Sequence, residues 1–496
     1  MLPFADSSYW AVAFAAGVVA GLVFTRSARD VAPRLGLVDR PDGRRKTQTR
    51  AVPVTGGVAV FLATLVALAV VALVSPTAGE ALTADARRAV GLLLAGVLIV
   101  TVGLIDDRYN LRARYKLAGQ AVAAAVLTGV GGFVIQKVGV FGWLIDLGQF
   151  AVPLTLLWLL ACVNALNLID GMDGMLGTVG LIALVCLAVM AGNIGHTFTV
   201  VVALALAGAV VGFLRYNLPP ATVYMGDAGS MLIGLTLGAL AISAELKGPA
   251  TAGLGASVAL VLLPMMDTAA AVIRRKLTGR GLATTDRGHL HHMLLRGMSA
   301  RRALVVVAGL ALIASAGALA STALNNDLFA LIAVTGVVVT LVATRLFGHA
   351  EFRLIRQWLG RRWRRMRSIG TAHELSVHLQ GTADWDDVWE DLTGCAEQLN
   401  LQSVCLDVNA PALHENYHAH WERADGRIPE LHQWRLDIPL FANGDVIGRL
   451  AVSGGRDDEP IGDKLLTLTK IVETAEMGAA EATGSTLRPP APAPAA

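Results

Sequence analysis

Long apolar stretches recur along this chain, and they limit its fold more than any other feature. A bilayer's hydrocarbon core takes about 20 consecutive apolar residues per helical crossing. That ruler marks eleven candidate spans, near 9–25, 51–74, 88–105, 117–135, 150–169, 176–192, 197–214, 229–243, 251–272, 303–321 and 328–347. Composition agrees: 54% of the 496 residues are hydrophobic and 16% are charged, against about 25% charged in soluble domains. The expected fold class is an all-α polytopic membrane protein of about eleven transmembrane helices, followed by a C-terminal cytoplasmic α/β module.

Charge placement sets the expected orientation, because Lys and Arg gather in short cytoplasmic loops. Segment 26–50 carries Arg26, Arg29, Arg34, Arg40, Arg44, Arg45, Lys46 and Arg50. Segment 106–116 carries Arg108, Arg112, Arg114 and Lys116, and segment 273–302 carries eight further basic residues, Arg274 to Arg302. The alternate loops hold little beyond Lys137, Lys247 and the Arg87–Arg88 pair. Eleven spans put every rich loop on one side, the cytoplasmic one, with the N-terminus outside. The first stretch has basic residues after it and none before it, which reads as an uncleaved anchor rather than a secretory signal. The net charge of +3 is uninformative, and no nucleic-acid partner is expected. The four cysteines form no CxxC pair, so neither a disulfide framework nor a zinc site is suggested.

Past residue 347 the chain changes character. Residues 348–370 are basic and amphipathic, with five arginines between 361 and 367 around Trp358 and Trp363, the pattern of an interfacial helix on anionic lipid. Residues 371–480 have soluble composition. WDDVWEDLTGCAEQLNL reads as an amphipathic helix; LQSVCLDV, WRLDIPL and VIGRLAVSG read as strands. Residues 481–496 are Pro/Ala-rich and expected to be disordered. The expected divisions are a membrane domain at 1–347, a linker helix at 348–370, the soluble module at 371–480 and a tail at 481–496.

Ionisable residues beside membrane spans are costly and mark function. Four clusters stand at cytoplasmic span ends. In GLIDDRYNLRARYKLAGQ, the adjacent carboxylates Asp106 and Asp107 repel, so they need a cation, a shared proton or water; a plain solvated loop with Asp–Arg pairing is the alternative. In NALNLIDGMDGMLG, Asn164, Asn167, Asp170 and Asp173 recur every three residues, which would place neighbours side by side on a helix. In VYMGDAGSMLIG, Asp227 and Ser230 enter a span, either as a helix cap or as a carboxylate holding a metal near phosphate. In DRGHLHHMLLRGMS, His289, His291 and His292 lie beside Asp286, Arg287 and Arg296. Zinc would need a tetrahedral set that this spacing does not supply, so donors to a pyrophosphate are the preferred reading. Together these groups suit a polyanionic, water-soluble substrate meeting a lipid, where phosphoryl transfer needs a divalent metal and basic side chains.

With LIDD, NALNLIDGMDG, MGDAGS and DRGHLHH in this order at span ends, the chain resembles the polyprenyl-phosphate N-acetylhexosamine-1-phosphate transferases over roughly residues 9–347. These enzymes start O-antigen, teichoic acid and arabinogalactan-linker synthesis. The resemblance implies a UDP-N-acetylhexosamine donor, most simply UDP-GlcNAc, an undecaprenyl or decaprenyl phosphate acceptor, release of UMP, Mg²⁺ or Mn²⁺ as cofactor, and a multi-pass protein of the bacterial inner membrane working at its cytoplasmic face. It also implies roles. Asp227 would be the principal metal ligand and Asn167 the second. Asp106 and Asp107 would serve the acceptor phosphate or the metal. Asp170 and Asp173 would shape the nucleotide and metal region, with Asn164 beside them. His289, His291, His292 and Arg287 would bind diphosphate and sugar, and Lys116 would attract phosphate.

Two positions depart from the family pattern: Asn110 stands where some members have a third acid, and the place of a histidine before Pro53, Gly56 and Gly57 falls near Gln48. The 371–480 pattern resembles a GAF-like regulatory module. A phospho-MurNAc-pentapeptide transferase would keep the chemistry and change the sugar, though the HxHH form fits that branch less well. A secondary transporter would put its carboxylates near the bilayer midplane, whereas these lie at one face. Membrane lipids are implied partners, and a homodimer stays open. The orientation has a direct check. A cysteine replacing Glu80 should react with an impermeant thiol reagent in intact cells, and one replacing Thr285 should not; labelling at 285 overturns the topology.

Overall fold

A computed structural model describes residues 8–40, 51–140, 143–245, 254–277, 288–349, 351–356, 359, 372–380, 385–410, 415–423, 433–442, 445–455, 467–470 and 472–473. The described residues divide into two compact units. One draws on the chain up to Ala270 and on His289–Phe347; the other draws on the 271–288 stretch and the residues from Gly348 onward.

The first unit is helical. Its helices are α1 (Ser8–Leu35), α2 (Gly56–Val74), α3 (Pro76–Ala84), α4 (Ala86–Tyr109), α5 (Ala113–Gly129), α6 (Ala151–Ile169), α7 (Met175–Asn193), α8 (Thr197–Asn217), α9 (Gly226–Glu245), α10 (Leu254–Leu260), most of α11 (Leu262–Leu277), α12 (Leu290–Gly297), α13 (Ala300–Ala323) and α14 (Leu328–Ala343). Among the described residues, eight helices are long and apolar enough to cross a membrane: α1, α2, α4, α6 with the turn before it, α7, α8, α9 and α13. This is a mostly helical, polytopic membrane protein.

Three of the eleven expected spans do not form one long helix. The 117–135 stretch is helical only to Gly129 and then turns through Gly132 at φ 71°. The 251–272 stretch breaks at Val261, between α10 and α11. Pro264 accounts for that break, because its ring clashes with the carbonyl four residues earlier, that of Leu260. The 328–347 stretch is helical for 16 residues and turns at Arg345, φ 55°.

Small residues let the helices approach. Gly17 and Gly21 of α1 face Gly208 and Gly212 of α8. A Cβ on Gly17 would lie 2.5 Å from the Ala205 carbonyl oxygen, and one on Gly21 2.5 Å from that of Ala209. Glycines four apart on both partners give the close crossing that dispersion alone can stabilise in lipid. The same device gathers α2, α4 and α9. A Cβ on Gly57 would overlap the Gly229 backbone, and one on Gly103 would overlap Ala228. The ribbon of β1 (Val38–Asp39) and β2 (Val52–Pro53) ties into this point: Tyr224 N–H donates to Pro53 at 2.8 Å, and Gly56 N–H to Tyr224 at 3.0 Å. A second antiparallel ribbon pairs β3 (Lys137–Val140) with β4 (Trp143–Asp146).

In the second unit, five strands form one antiparallel sheet: β5 (Ala372–Gln380), β6 (Leu401–Ala410), β7 (Glu415–Arg423), β8 (Gln433–Ala442) and β9 (Asp445–Gly455), in the order β5-β7-β6-β9-β8. Helix α15 (Trp385–Gln398) packs on it through Trp389 and Leu392, against Val404, Leu406, Tyr417 and Trp421. The expected helix and three expected strands are there. β5 and β7 were not anticipated: in β7, buried Tyr417, Ala419 and Trp421 alternate with His418 and His420, an alternation that reads as polar. Because every pairing is antiparallel, the unit is α+β, which corrects the α/β expectation; β6–β7 and β8–β9 are sequence-adjacent antiparallel pairs, and α15 lies in the chain between β5 and β6. The arginine run at 361–367 and the 481–496 tail lie outside the described residues.

The second unit also holds a buried ion pair. Arg274, at the end of α11, is fully buried and donates to Glu351. Removing one partner of such a pair costs about 3–5 kcal/mol. Glu351→Ala should therefore lower the thermal midpoint in detergent. Truncation after residue 347 should do the same, and truncation after residue 370, which keeps Glu351, should not.

Candidate active site

The last turn of α4 presents Asp106 and Asp107. Adjacent helical residues point about 100° apart, so the two carboxylates find different partners. Asp106 turns toward α5. Its Oδ1 accepts from Leu111 N–H at 2.6 Å, and its Oδ2 meets Lys116 Nζ at 2.8 Å. Asp107 turns toward α9 and accepts from the backbone N–H groups of Asp227 at 2.8 Å and Ala228 at 3.3 Å. It thus caps a helix start from outside that helix, where the unpaired amides and the dipole favour an anion. Asn110, at the position where some relatives have an acid, ends α4 in the left-handed region at φ 50°.

Lys116 is the centre of the cluster. Its ammonium reaches Asp106 at 2.8 Å, Asp227 at 2.9 Å and the Asn167 side-chain oxygen at 3.1 Å. An ammonium has three N–H groups, and these three acceptors match them. Asn167 in turn donates to Asp227 Oδ1 and to Ser230 Oγ at 2.8 Å. Asp227 stands in the first turn of α9, which Gly226 enters at φ 72°, a conformation suited to glycine.

The NALNLIDGMDG segment is helical only in part. α6 ends at Ile169, Asp170 is its terminal cap, and Gly174 takes φ 75° before α7 begins. The expectation of four polar residues stacked on one helix therefore fails after Asn167, because the glycines end the helix. Asn164 also leaves the cluster: it donates to Gln120 Oε1 and to the Leu160 carbonyl, both at 2.8 Å. Asp173 accepts from Ala221 N–H at 2.8 Å, bracing the loop before α9. Burial, with Asp227, Asp107 and Asp173 close by, pushes the Asp170 carboxyl up to about 8.

The histidines pack against this loop. His289, His291 and His292 are in ring contact, the first two stacked at 5.9 Å between centroids and the last two at 4.1 Å. A Cβ on Gly171 would overlap the His291 ring, so glycine is what allows that imidazole beside Asp170. Burial, and then the neighbouring His292 and His289, hold His291 well below the usual histidine range. Arg287 lies outside the described residues. One participant was not anticipated: Asp267 of α11, fully buried, accepts from Leu290 N–H at 2.8 Å and pairs with His289 Nδ1 at 3.0 Å. The signal for it was a lone carboxylate inside the apolar 251–272 stretch.

Five carboxylates thus lie in this region, Asp106, Asp107, Asp170, Asp173 and Asp227, and two of them, Asp106 and Asp227, pair with Lys116. Among the described residues, no three Asp, Glu, His or Cys side chains are disposed as a finished metal cage. The donors are nevertheless hard oxygens in excess of positive charge, the chemistry that suits Mg²⁺ held by one or two carboxylates with substrate phosphates completing the shell.

Residues 89–245, which hold this carboxylate cluster, match the model of glycosyl transferase family 4. A Bacillus subtilis (strain 168) protein named "Probable undecaprenyl-phosphate N-acetylglucosaminyl 1-phosphate transferase" is 30% identical over 305 residues, 60% of this chain and 80% of that protein. The chain belongs to glycosyl transferase family 4. Two further relatives bear similar names. The decaprenyl-phosphate N-acetylglucosaminephosphotransferase of Mycobacterium tuberculosis (strain ATCC 25618 / H37Rv) is 34% identical over 348 residues, covering 64% of this chain and 84% of its own length. The undecaprenyl-phosphate alpha-N-acetylglucosaminyl 1-phosphate transferase of Escherichia coli (strain K12) is 30% identical over 308 residues, 60% and 80% respectively.

In this family 4 chain Asp107 has a structural duty separable from chemistry. Asp107→Ala leaves two α9 amides without their acceptor and should cost about 1–3 kcal/mol. Asp107→Asn, which can still accept, should cost less. Thermal unfolding in detergent measures both; equal midpoints for Asp107→Ala and wild type would remove the capping role.

Proposed function

We propose that this chain transfers N-acetylglucosamine 1-phosphate from UDP-GlcNAc to a polyprenyl phosphate, releasing UMP, at the cytoplasmic face of a bacterial inner membrane, and so begins a cell-envelope polysaccharide. The observation that carries this reading is the Lys116 network. It joins the ends of α4, α5, α6 and α9 into one anionic cluster around the Lys116 ammonium, and the relatives' names give transfer of N-acetylglucosamine phosphate to a polyprenyl phosphate.

The roles follow from the partners. Asp227 and Asn167 would hold Mg²⁺ or Mn²⁺, with Asp106 beside them, because their oxygens already converge on Lys116. Bound there, the ion would offset charge on the phosphoryl oxygens. Lys116 can exchange a carboxylate for the acceptor phosphate once a second cation shares the cluster. Asp107 fixes the start of α9 and hence Asp227. Asp173 braces the loop before α9 through the Ala221 N–H, and Asp170 precedes the glycine that the His291 ring covers. Polyprenyl phosphate, with a second pKa of about 6, is largely dianionic at neutral pH and needs no general base. We therefore favour direct attack of its oxygen on the sugar-bearing phosphorus, the bridging bond breaking and its electron pair leaving with UMP. The histidines and Arg287 would receive the donor's diphosphate. The eleven-span topology, the interfacial 348–370 helix and an accessory role for 371–480 belong to the same proposal.

The experiment is UMP release by the purified protein from a panel of UDP-sugars, with undecaprenyl or decaprenyl phosphate and Mg²⁺. UDP-GlcNAc should be used, and chelation should stop turnover until Mg²⁺ is restored. Asp227→Asn should lower turnover by about 10²–10³-fold, the scale for losing one preorganised charge-stabilising group. Asn164→Ala, whose side chain faces Gln120, should be mild. Wild-type turnover in Asp227→Asn at ordinary Mg²⁺ would refute the assignment, and exclusive use of UDP-MurNAc-pentapeptide would move the chain to the other branch.

A further inference from the structure

We infer that Asp267 is a positioning residue for the donor-binding histidines: it fixes His289 in one tautomer and one orientation, with Nε2 left as the ring atom that meets a substrate oxygen. This inference rests on the proposed transfer of sugar phosphate.

Asp267 lies inside an apolar stretch with no exposed surface. A carboxylate there is costly unless it is paired. Among the described residues its hydrogen-bond partners are two consecutive residues of the histidine segment. Oδ1 accepts from Leu290 N–H at 2.8 Å, and Oδ2 stands 3.0 Å from His289 Nδ1. One carboxylate thus grips a backbone and the neighbouring ring, 22 and 23 residues away in the chain. His289 is the residue before α12, and its own side chain makes no capping bond. Asp267 supplies that cap from another helix.

The ring geometry has a chemical consequence. A carboxylate only accepts, so His289 Nδ1 carries the hydrogen. Nε2 then holds the lone pair or, in the imidazolium, a second N–H that the same carboxylate compensates. Among the described residues His291 has no such partner. It is buried against Gly171, and its neighbours are imidazoles. His289 thus has a carboxylate beside it that would compensate a positive ring. It is therefore suited to hydrogen-bond charge developing on departing UMP. The histidine–carboxylate pair acts here as it does wherever a second carboxylate orients a working imidazole.

A purely structural cap and a positioning role predict different results. Asp267→Asn keeps an oxygen for Leu290 N–H but turns an amide N–H toward His289 Nδ1. The ring must then present its lone pair there and lose its charge partner. The expected result is a kcat lower by at least about 10-fold, on the scale of one acid–base or hydrogen-bonding group, with an unchanged KM for polyprenyl phosphate and a near wild-type unfolding midpoint. His289→Gln should lose a similar factor, and the double variant should lose no more than either single one. Wild-type kcat in Asp267→Asn, or losses that multiply in the double variant, would overturn the inference. Should Asp267→Asn not fold, His289→Gln decides alone: near wild-type turnover sinks the proposal. UMP release by the unaltered protein is the control. Its absence with every UDP-sugar would refute the transfer reading itself, not the Asp267–His289 geometry.

Discussion

Carboxylates at the ends of apolar helices repel one another in a medium that screens poorly, and the site is organised around that repulsion. At 4 Å two unit charges interact by about 4 kcal/mol at an effective dielectric of 20, so a cluster of five acids needs compensation. The chain provides two kinds. Lys116 neutralises Asp106 and Asp227 directly. The amides at the start of α9 receive Asp107. Among the described residues neither kind reaches Asp170, and burial with its anionic neighbours raises its carboxyl. One ammonium shared by Asp106 and Asp227, with only amides for Asp107, leaves carboxylate charge in excess, and that excess is the physical reason a divalent cation and basic substrate-binding groups belong to the reading. A protein that had only to hold these helices together would do better with apolar residues of similar volume.

Compensation at hydrogen-bond distance requires the backbones to come close, and glycine makes that possible. Gly57, Gly103 and Gly229 let α2, α4 and α9 approach until any added Cβ would overlap a neighbour. Without that approach, Asp107 could not reach the Asp227 amide across 120 residues of sequence. Gly171 does the same for the His291 ring. The glycines of the acidic motifs therefore act through space as much as through turns. A residue at Gly103 would move a carboxylate through the α9 backbone without touching it, and one at Gly171 would displace the imidazole by direct overlap.

How far the sequence discloses all this depends on the kind of interaction. Span length and residue type are local properties, so the polytopic helical class and the four motif clusters were legible. Pairing across the fold was not. Asp106 and Asp107 look equivalent as neighbours, yet the helical twist sends one to a lysine and the other to a helix start. Asn164 and Asn167 look like one ladder, yet only Asn167 faces Asp227. Helix ends were legible in composition but not in length: Gly171 and Gly174 end α6 before Asp170, and Pro264 breaks an apolar run into α10 and α11. In the second unit, β7 stayed hidden because His418 and His420 mask the alternation of Tyr417, Ala419 and Trp421.

Asp267 shows why the hidden part matters. Read along the chain, it is one acid in an apolar run, with no motif around it. Its meaning comes from residues 22 and 23 positions later, whose own motif gives no sign of needing a carboxylate. The two features explain each other: an acid too costly to bury alone, and an imidazole that needs its tautomer fixed to be useful. Carboxylates in this chain thus divide by what they face. Those that face an ammonium or oppose one another would, in the proposed reaction, hold charge for a substrate or an ion. Those that face amides or a ring nitrogen, Asp107, Asp173 and Asp267, set the geometry in which the first group works.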